Sequence, residues 1–206
     1  MSFSCPVAAE MMFDPKYDFS FTEEMNDLPP TLNDIDARLY FTLLSARKTA
    51  YALVQDSKKP LARCLAELLD FAEELQGQIG ALPTATEKLD FRSVFQNPEL
   101  INPQWPEKVA VGDLSAPVGE SHFGRQIAMY FLFRYFLNLG LEGDVLSAAK
   151  MAVVGVLVPT YFGTDSWVMH LWSKETEHSD VNMERYRRLL HSADCLSVPA
   201  LKSRLV

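Results

Sequence analysis

The chain has 206 residues, 48% of them hydrophobic, and a formal net charge of -8. That length suits one domain with a sizeable core, or one domain with an appendage. The acidic balance argues against nucleic acid or an anionic membrane surface as the main partner, since both recruit clustered Lys and Arg. It is compatible with a protein partner or substrate bearing basic side chains, and equally with an ordinary acidic protein.

In chain order, Cys5–Phe13 reads as a short helix stopped by Asp14-Pro15, and the acidic Phe19–Pro30 as a loop. Met1–Ala9 lacks a positive start and is interrupted by Pro6, so no signal peptide is expected. Asn33–Gln55 carries Ile35, Leu39, Leu43 and Tyr51 at helical spacing, with Asn33 or Asp34 as cap. Pro60 opens a second helix, Leu61–Ile79, which puts Leu61, Leu65, Leu68, Leu69, Ala72 and Leu75 on one face and ends at Gly77 and Gly80. The short link between these two helices predicts an N-terminal helical hairpin over residues 1–81.

Residues 82–119 hold Pro83, Pro98, Pro103, Pro106 and Pro117, too many for a long helix. A long surface excursion with a helical turn around Ala85–Phe95 is expected there. Glu120–Leu139 is rich in Phe and Tyr on most of its faces, so it should be surrounded by other helices. Asp144–Val158 is a second buried helix, where Ala148, Ala149, Ala152 and Gly155 allow close approach and Pro159 disturbs the end. Thr164 or Asp165 caps Ser166–Glu177, Ser179 or Asp180 caps a last helix to about Ala193, and Val198-Pro199 begins a tail. The two longest apolar runs, Ile127–Leu141 and Met151–Phe162, fall short of the ~20 uninterrupted residues of a membrane span.

The expected fold is therefore all-α: a single-domain bundle of about six to seven helices. It comprises the hairpin of 1–81, the Pro-rich excursion of 82–119 and an aromatic-rich core over 120–206.

Cys5, Cys64 and Cys195 stand too far apart for a CxxC metal motif, and their odd, sparse count suits a reducing compartment, hence the cytoplasm. No nucleotide loop, nucleophile elbow or HExxH motif appears. Chemistry concentrates in Leu171–Leu190, LWSKETEHSDVNMERYRRLL, where Glu175, Glu177, His178, Asp180, Asn182 and Glu184 crowd together beside the apolar core. A histidine among carboxylates can act as a general base or a metal ligand; it can equally sit at an ordinary helix junction. If the helix through Trp167 continues, Lys174 and His178 share a face. Arg134, set among aromatic residues, calls for an acidic partner such as Glu177 or Asp180, or for an anionic ligand.

The stretch YFLFRYFLNLGLEGDVLSAAKMAVVGVLV, followed by LWSKETEHSDVNMERY, resembles the C-terminal region of flagellin lysine-N-methylase-like proteins. The opening SCPVAAEMMFDPKYDFSFTE is similar to the segment of that family where a Cys-Pro starts a short helix. The resemblance implies S-adenosylmethionine-dependent methylation of lysine side chains, with flagellin as the substrate. It carries over Arg134–Tyr135 and Glu177–Asn182 without assigning their roles. The family's N-terminal cysteine cluster, a candidate iron–sulfur site, has no counterpart here, so no iron–sulfur cluster is expected in this chain alone.

The chemistry of methyl transfer to lysine requires a neutral amine, so Glu175, Glu177 and His178 are the candidate catalytic groups that attract the lysine and take its proton. Arg134, Tyr135, Asp180 and Asn182 are candidate substrate- or cofactor-binding residues. The alternative is a non-catalytic helical module that binds a protein partner through residues 171–190 or the excursion.

Overall fold

A computed structural model describes residues 34–163 and 166–205, with side chains from residue 37 onward. The expectations for Cys5–Phe13, Phe19–Pro30 and the caps at Asn33, Thr164 and Asp165 lie outside the described residues. The chain divides into two compact units, Met1–Leu39 and Tyr40–Val206. Of the first unit, only the opening of α1 (Asp34–Gln55) is described.

The second unit is all-α. After the remainder of α1 come α2 (Leu61–Ile79), a 3-10 turn at Phe91–Phe95, α3 (Gln104–Val111) and α4 (His122–Leu141). Next are α5 (Val145–Phe162), α6 (Ser166–Glu177) and α7 (Asp180–Ser192). A second 3-10 turn at Asp194–Leu196 leads into α8 (Val198–Ser203). No strand forms among the described residues; the one sheet-like pairing is an isolated parallel bridge between Glu87 and Ala193.

The core is built around α5. Every residue of it except Thr160 is buried, and α2, α3, α4, α6, α7 and α8 all pack against it. Its length and composition would also suit a membrane span, but 94% of that stretch is already covered by the protein's own helices. The α4–α5 pair approaches most intimately, because Gly155 lets the Phe131 ring reach the α5 backbone. Asp144 caps α5 by accepting a hydrogen bond from the Ser147 N–H at 3.1 Å.

Several expectations need correction. Helix α5 runs through Pro159 to Phe162 and stops at Gly163, whose φ of +131° breaks the helical path. Its last turn is held by packing: the Phe162 ring lies edge-on to Phe95 at 4.9 Å and to Trp105 at 5.7 Å. Gly77 lies inside α2, and Gly80 alone is the cap. The tail expected at Val198 is instead helix α8, capped by Ser197 and anchored by buried Leu201 and Leu205. With α3, this makes eight α-helices among the described residues, in keeping with the all-α bundle of about six to seven expected.

Helix α4 is not surrounded. Phe123, Tyr130, Phe133 and Leu141 are exposed along one side of it, while Ile127, Phe131, Leu132 and Phe136 face inward. The Pro-rich excursion docks rather than loops free. Phe91, Phe95, Trp105 and Val109 are buried, and the Trp105 indole N–H donates to the Phe95 carbonyl at 2.9 Å.

A Cβ on residue 155 would lie 2.6 Å from a Phe131 ring carbon and 3.2 Å from Ile127. Gly155→Ala should therefore destabilise the protein by about 1–3 kcal/mol through overpacking, read by denaturant unfolding. An unchanged midpoint would mean that α4 and α5 are not tightly packed.

Candidate functional site

Helix α6 sends Val168, Leu171, Trp172, Glu175 and Thr176 into the protein at helical spacing. Glu175 thus occupies a core register, which is why a carboxylate is buried here. The helix ends at Glu177; His178 forms the turn, and Ser179 caps α7 by accepting from the Asn182 N–H at 3.1 Å. Lys174 and His178 consequently do not share a helical face, because the helix stops before His178.

The candidate residues separate into three groups. Glu175 and Asn182 fasten the excursion. Glu175 Oε1 accepts from the Asn102 N–H, and Oε2 lies 3.4 Å from Asn97 Nδ2. Asn182 Oδ1 accepts from the Glu99 N–H at 3.0 Å, while its Nδ2 donates to the carbonyls of Glu99 (2.8 Å) and Glu175 (2.6 Å). Arg185 adds donations to the carbonyls of Val94 (3.0 Å) and Ser93 (2.8 Å).

Glu177 lies on the other side of α6, with a side chain only 5% exposed, and gathers the α4 residues. Oε1 meets Arg134 Nε at 2.9 Å and the Tyr135 hydroxyl at 2.5 Å; Oε2 accepts from the Ser173 hydroxyl at 2.6 Å. The Tyr130 hydroxyl lies 3.3 Å from both oxygens. Burial and the bond to Glu177 push the Tyr135 hydroxyl well above its usual range, so it stays a proton donor. With its oxygens so occupied, Glu177 serves to hold Arg134 and the two tyrosines in place. His178 and Asp180 form the third group and are exposed at the turn.

Glu175 also lines a recess of about 350 Å³ between α6 and the excursion. Leu100, Trp105, Pro106 and Val109 form its apolar wall, and Arg92 lies in it too. The Arg92 guanidinium is occupied with the carbonyls of Val109, Ala110 and Gly112 at the end of α3. Among the described residues no cation forms an ion pair with Glu175. A buried carboxylate held only by neutral donors is costly unless a cation reaches it.

Lys150 is a residue the sequence reading passed over. It is the one charged residue of α5, 3% exposed, and its amine donates to the Leu190 carbonyl at 2.6 Å. Burial pushes the amine down to about 8, against the opposing pull of Asp144 and Glu73. The signal was available as a lone cation in an otherwise apolar run. No group of three or more His, Cys, Asp or Glu side chains suited to a metal ion occurs among the described residues.

No family model, curated protein or solved structure matches this chain.

Two outcomes follow from this geometry. Glu177→Ala should cost about 1.5–3 kcal/mol by stranding Arg134 and Tyr135, while His178→Ala stays within about 0.5 kcal/mol, both measured by urea unfolding. Equal effects would deny Glu177 its organising role. For Lys150, the unfolded chain binds more protons than the folded one between pH 8 and the ordinary lysine value of 10.5. Stability should therefore rise with pH across that window, by up to about 1.4 kcal/mol per unit, relative to Lys150→Met measured in the same way. A difference that is flat with pH would mean the amine is not depressed.

Proposed function

We propose that this chain binds a lysine side chain of a basic protein substrate in the recess beneath the excursion, as the helical part of an S-adenosylmethionine-dependent lysine methylase acting on flagellin. The observation that carries the lysine-binding reading is Glu175, a buried carboxylate without a cation partner among the described residues, on the wall of an apolar recess of about 350 Å³. A lysine fits this chemistry. Its methylene stem packs on Leu100, Trp105 and Val109, and its ammonium replaces the weak 3.4 Å contact from Asn97. The net charge of -8 draws basic segments toward the protein.

The candidate seat of the cofactor is a larger groove of about 590 Å³, lined by Phe123, Glu120, Pro117, Val156 and Thr160. Exposed Phe123 offers a ring for stacking a base. The Glu120 carboxylate is held by Arg125 and the Leu61 N–H and shapes the wall of the groove. S-adenosylmethionine, when bound, would supply an electrophilic methyl group. Arg134, Tyr135, Asp180 and Asn182, the residues first considered for substrate or cofactor, do not line this groove.

The test is fluorescence anisotropy with a labelled flagellin peptide carrying one central lysine, beside the same peptide with acetyl-lysine. Binding to the lysine peptide should be lost with acetylation. It should weaken at least about tenfold in Glu175→Gln, a cost near 1.4 kcal/mol. Leu100→Arg, at the exposed rim, should weaken binding by charge repulsion without touching the buried carboxylate. Equal binding of both peptides, or of both variants and the wild type, would refute the lysine site. Calorimetric titration with S-adenosylmethionine separates a methylase from a module that only binds: heat with micromolar affinity supports the enzyme, and its absence removes the cofactor from the reading.

A further inference from the structure

A second recess, of about 210 Å³, lies where α2, α5, α7 and the start of α8 meet. Lys150 lines it together with Glu73, His191, Leu82, Pro83 and Val198. We propose that Lys150 is a nucleophilic amine that forms an imine with a small neutral aldehyde or ketone entering this recess. The assignment is independent of the Glu175 reading.

Four observations lead to it. The amine sits in a cavity and not on an open surface: Lys150 is 3% exposed, and the Leu190 carbonyl fixes its Nζ at 2.6 Å. The volume equals roughly seven waters at ~30 Å³ each, enough for a carbonyl compound of a few carbons. The surrounding charge selects a neutral ligand. Glu73 faces the recess from α2, Asp144 stands at the start of α5, and the Leu190 carbonyl belongs to the last turn of α7 with its partial negative charge. A keto acid would meet repulsion from Glu73, which lines the recess, and from the Leu190 carbonyl, while the Asp144 carboxylate is engaged by His191. Finally, an amine depressed to about 8 is neutral in roughly a fifth of molecules near pH 7.4, against about one in a thousand for an ordinary lysine. His191, whose Nε2 lies 2.6 Å from Asp144 Oδ2, lines the same recess.

The step balances without oxidant or reductant. The amine lone pair forms a C–N bond to the carbonyl carbon, and the carbonyl π electrons move to oxygen, which gains the proton that nitrogen loses. The carbinolamine then takes up a proton on its hydroxyl, expels water as the C–O bond breaks, and leaves a C=N bond once nitrogen releases its remaining proton. Amine and carbonyl compound become imine and water.

The experiment incubates the whole chain with propanal at pH 7.4 and then adds sodium borohydride, which delivers hydride to the imine carbon and fixes a propyl group on nitrogen. Peptide mass spectrometry reads every lysine in the same sample, so exposed Lys48 and Lys88 are internal controls. Lys150 should be propylated at least about tenfold faster than either, as its larger neutral fraction dictates. Glyoxylate, an aldehyde carrying a carboxylate, should lower the Lys150 share relative to the exposed lysines. An unmodified Lys150, or one no faster than Lys48 and Lys88, would overturn the proposal and leave Lys150 as a cap on α7. A Lys150 share that does not fall with glyoxylate would overturn the neutral-ligand assignment.

Discussion

The burial of α5 is the constraint on which the rest of this structure depends. An eighteen-residue helix with one uncovered side chain must be enclosed on all sides, so α2, α4, α6, α7 and the shorter α3 and α8 are all drawn onto it. Burying a Val, Leu or Phe side chain contributes about 1.5–3 kcal/mol, and a helix this apolar supplies many such terms at once. Two features follow. The glycine at 155 brings α4 close enough for its ring side chains to interlock with the α5 backbone. The last turn, ending in Phe162, projects past Pro159 and becomes the seat on which Phe95 and Trp105 fix the excursion. The one charge on α5, Lys150, has to find its partners inside the protein, and it does so at the end of α7.

The polar richness of residues 171–190 has a physical origin in this arrangement. Helices α6 and α7 meet the proline-rich excursion on one side, with its unpaired backbone groups, and α4 on the other, with the polar tips of Arg134, Tyr130 and Tyr135. Glu175 and Asn182 satisfy backbone groups of the excursion that helix or sheet would otherwise satisfy. Glu177 satisfies the polar tips of Arg134, Tyr130 and Tyr135 on α4. Fastening is thus the first task of these carboxylates and amides. Of these junction residues, Glu175 lines a recess without an ion pair among the described residues, so fastening and ligand recognition can coincide there.

Much of the fold was legible in the sequence for local reasons. Helical spacing gave α1 and α2, the small residues of α5 announced close packing, and Ser179 was identifiable as a cap. The acidic partner of Arg134 was also foreseeable, because a guanidinium among aromatic rings needs one and Glu177 was among the few at hand. What stayed hidden depended on distant contacts. Periodicity shows that α4 is apolar nearly all round; it cannot show that Phe123, Tyr130 and Phe133 stay exposed. Proline content predicts a disturbed helix end at 159 and a long surface excursion; ring packing from Phe95 and Trp105 carries α5 on to Phe162 and docks the excursion. At the candidate site, Glu175, Glu177 and His178 were grouped by nearness in sequence, and the helix separates them because adjacent positions point in different directions.

Native-state hydrogen exchange on the amides of Glu99 and Asn102 tests most directly whether the 175–182 junction is built as described. Both N–H groups donate to side chains of that junction, to Asn182 and Glu175 respectively. The account predicts that they exchange as slowly as the neighbouring amides of α6 and α7. Exchange at the rate of a free peptide would mean that the excursion is not fastened, that the recess over Glu175 does not exist in solution, and that the lysine-binding reading falls with it.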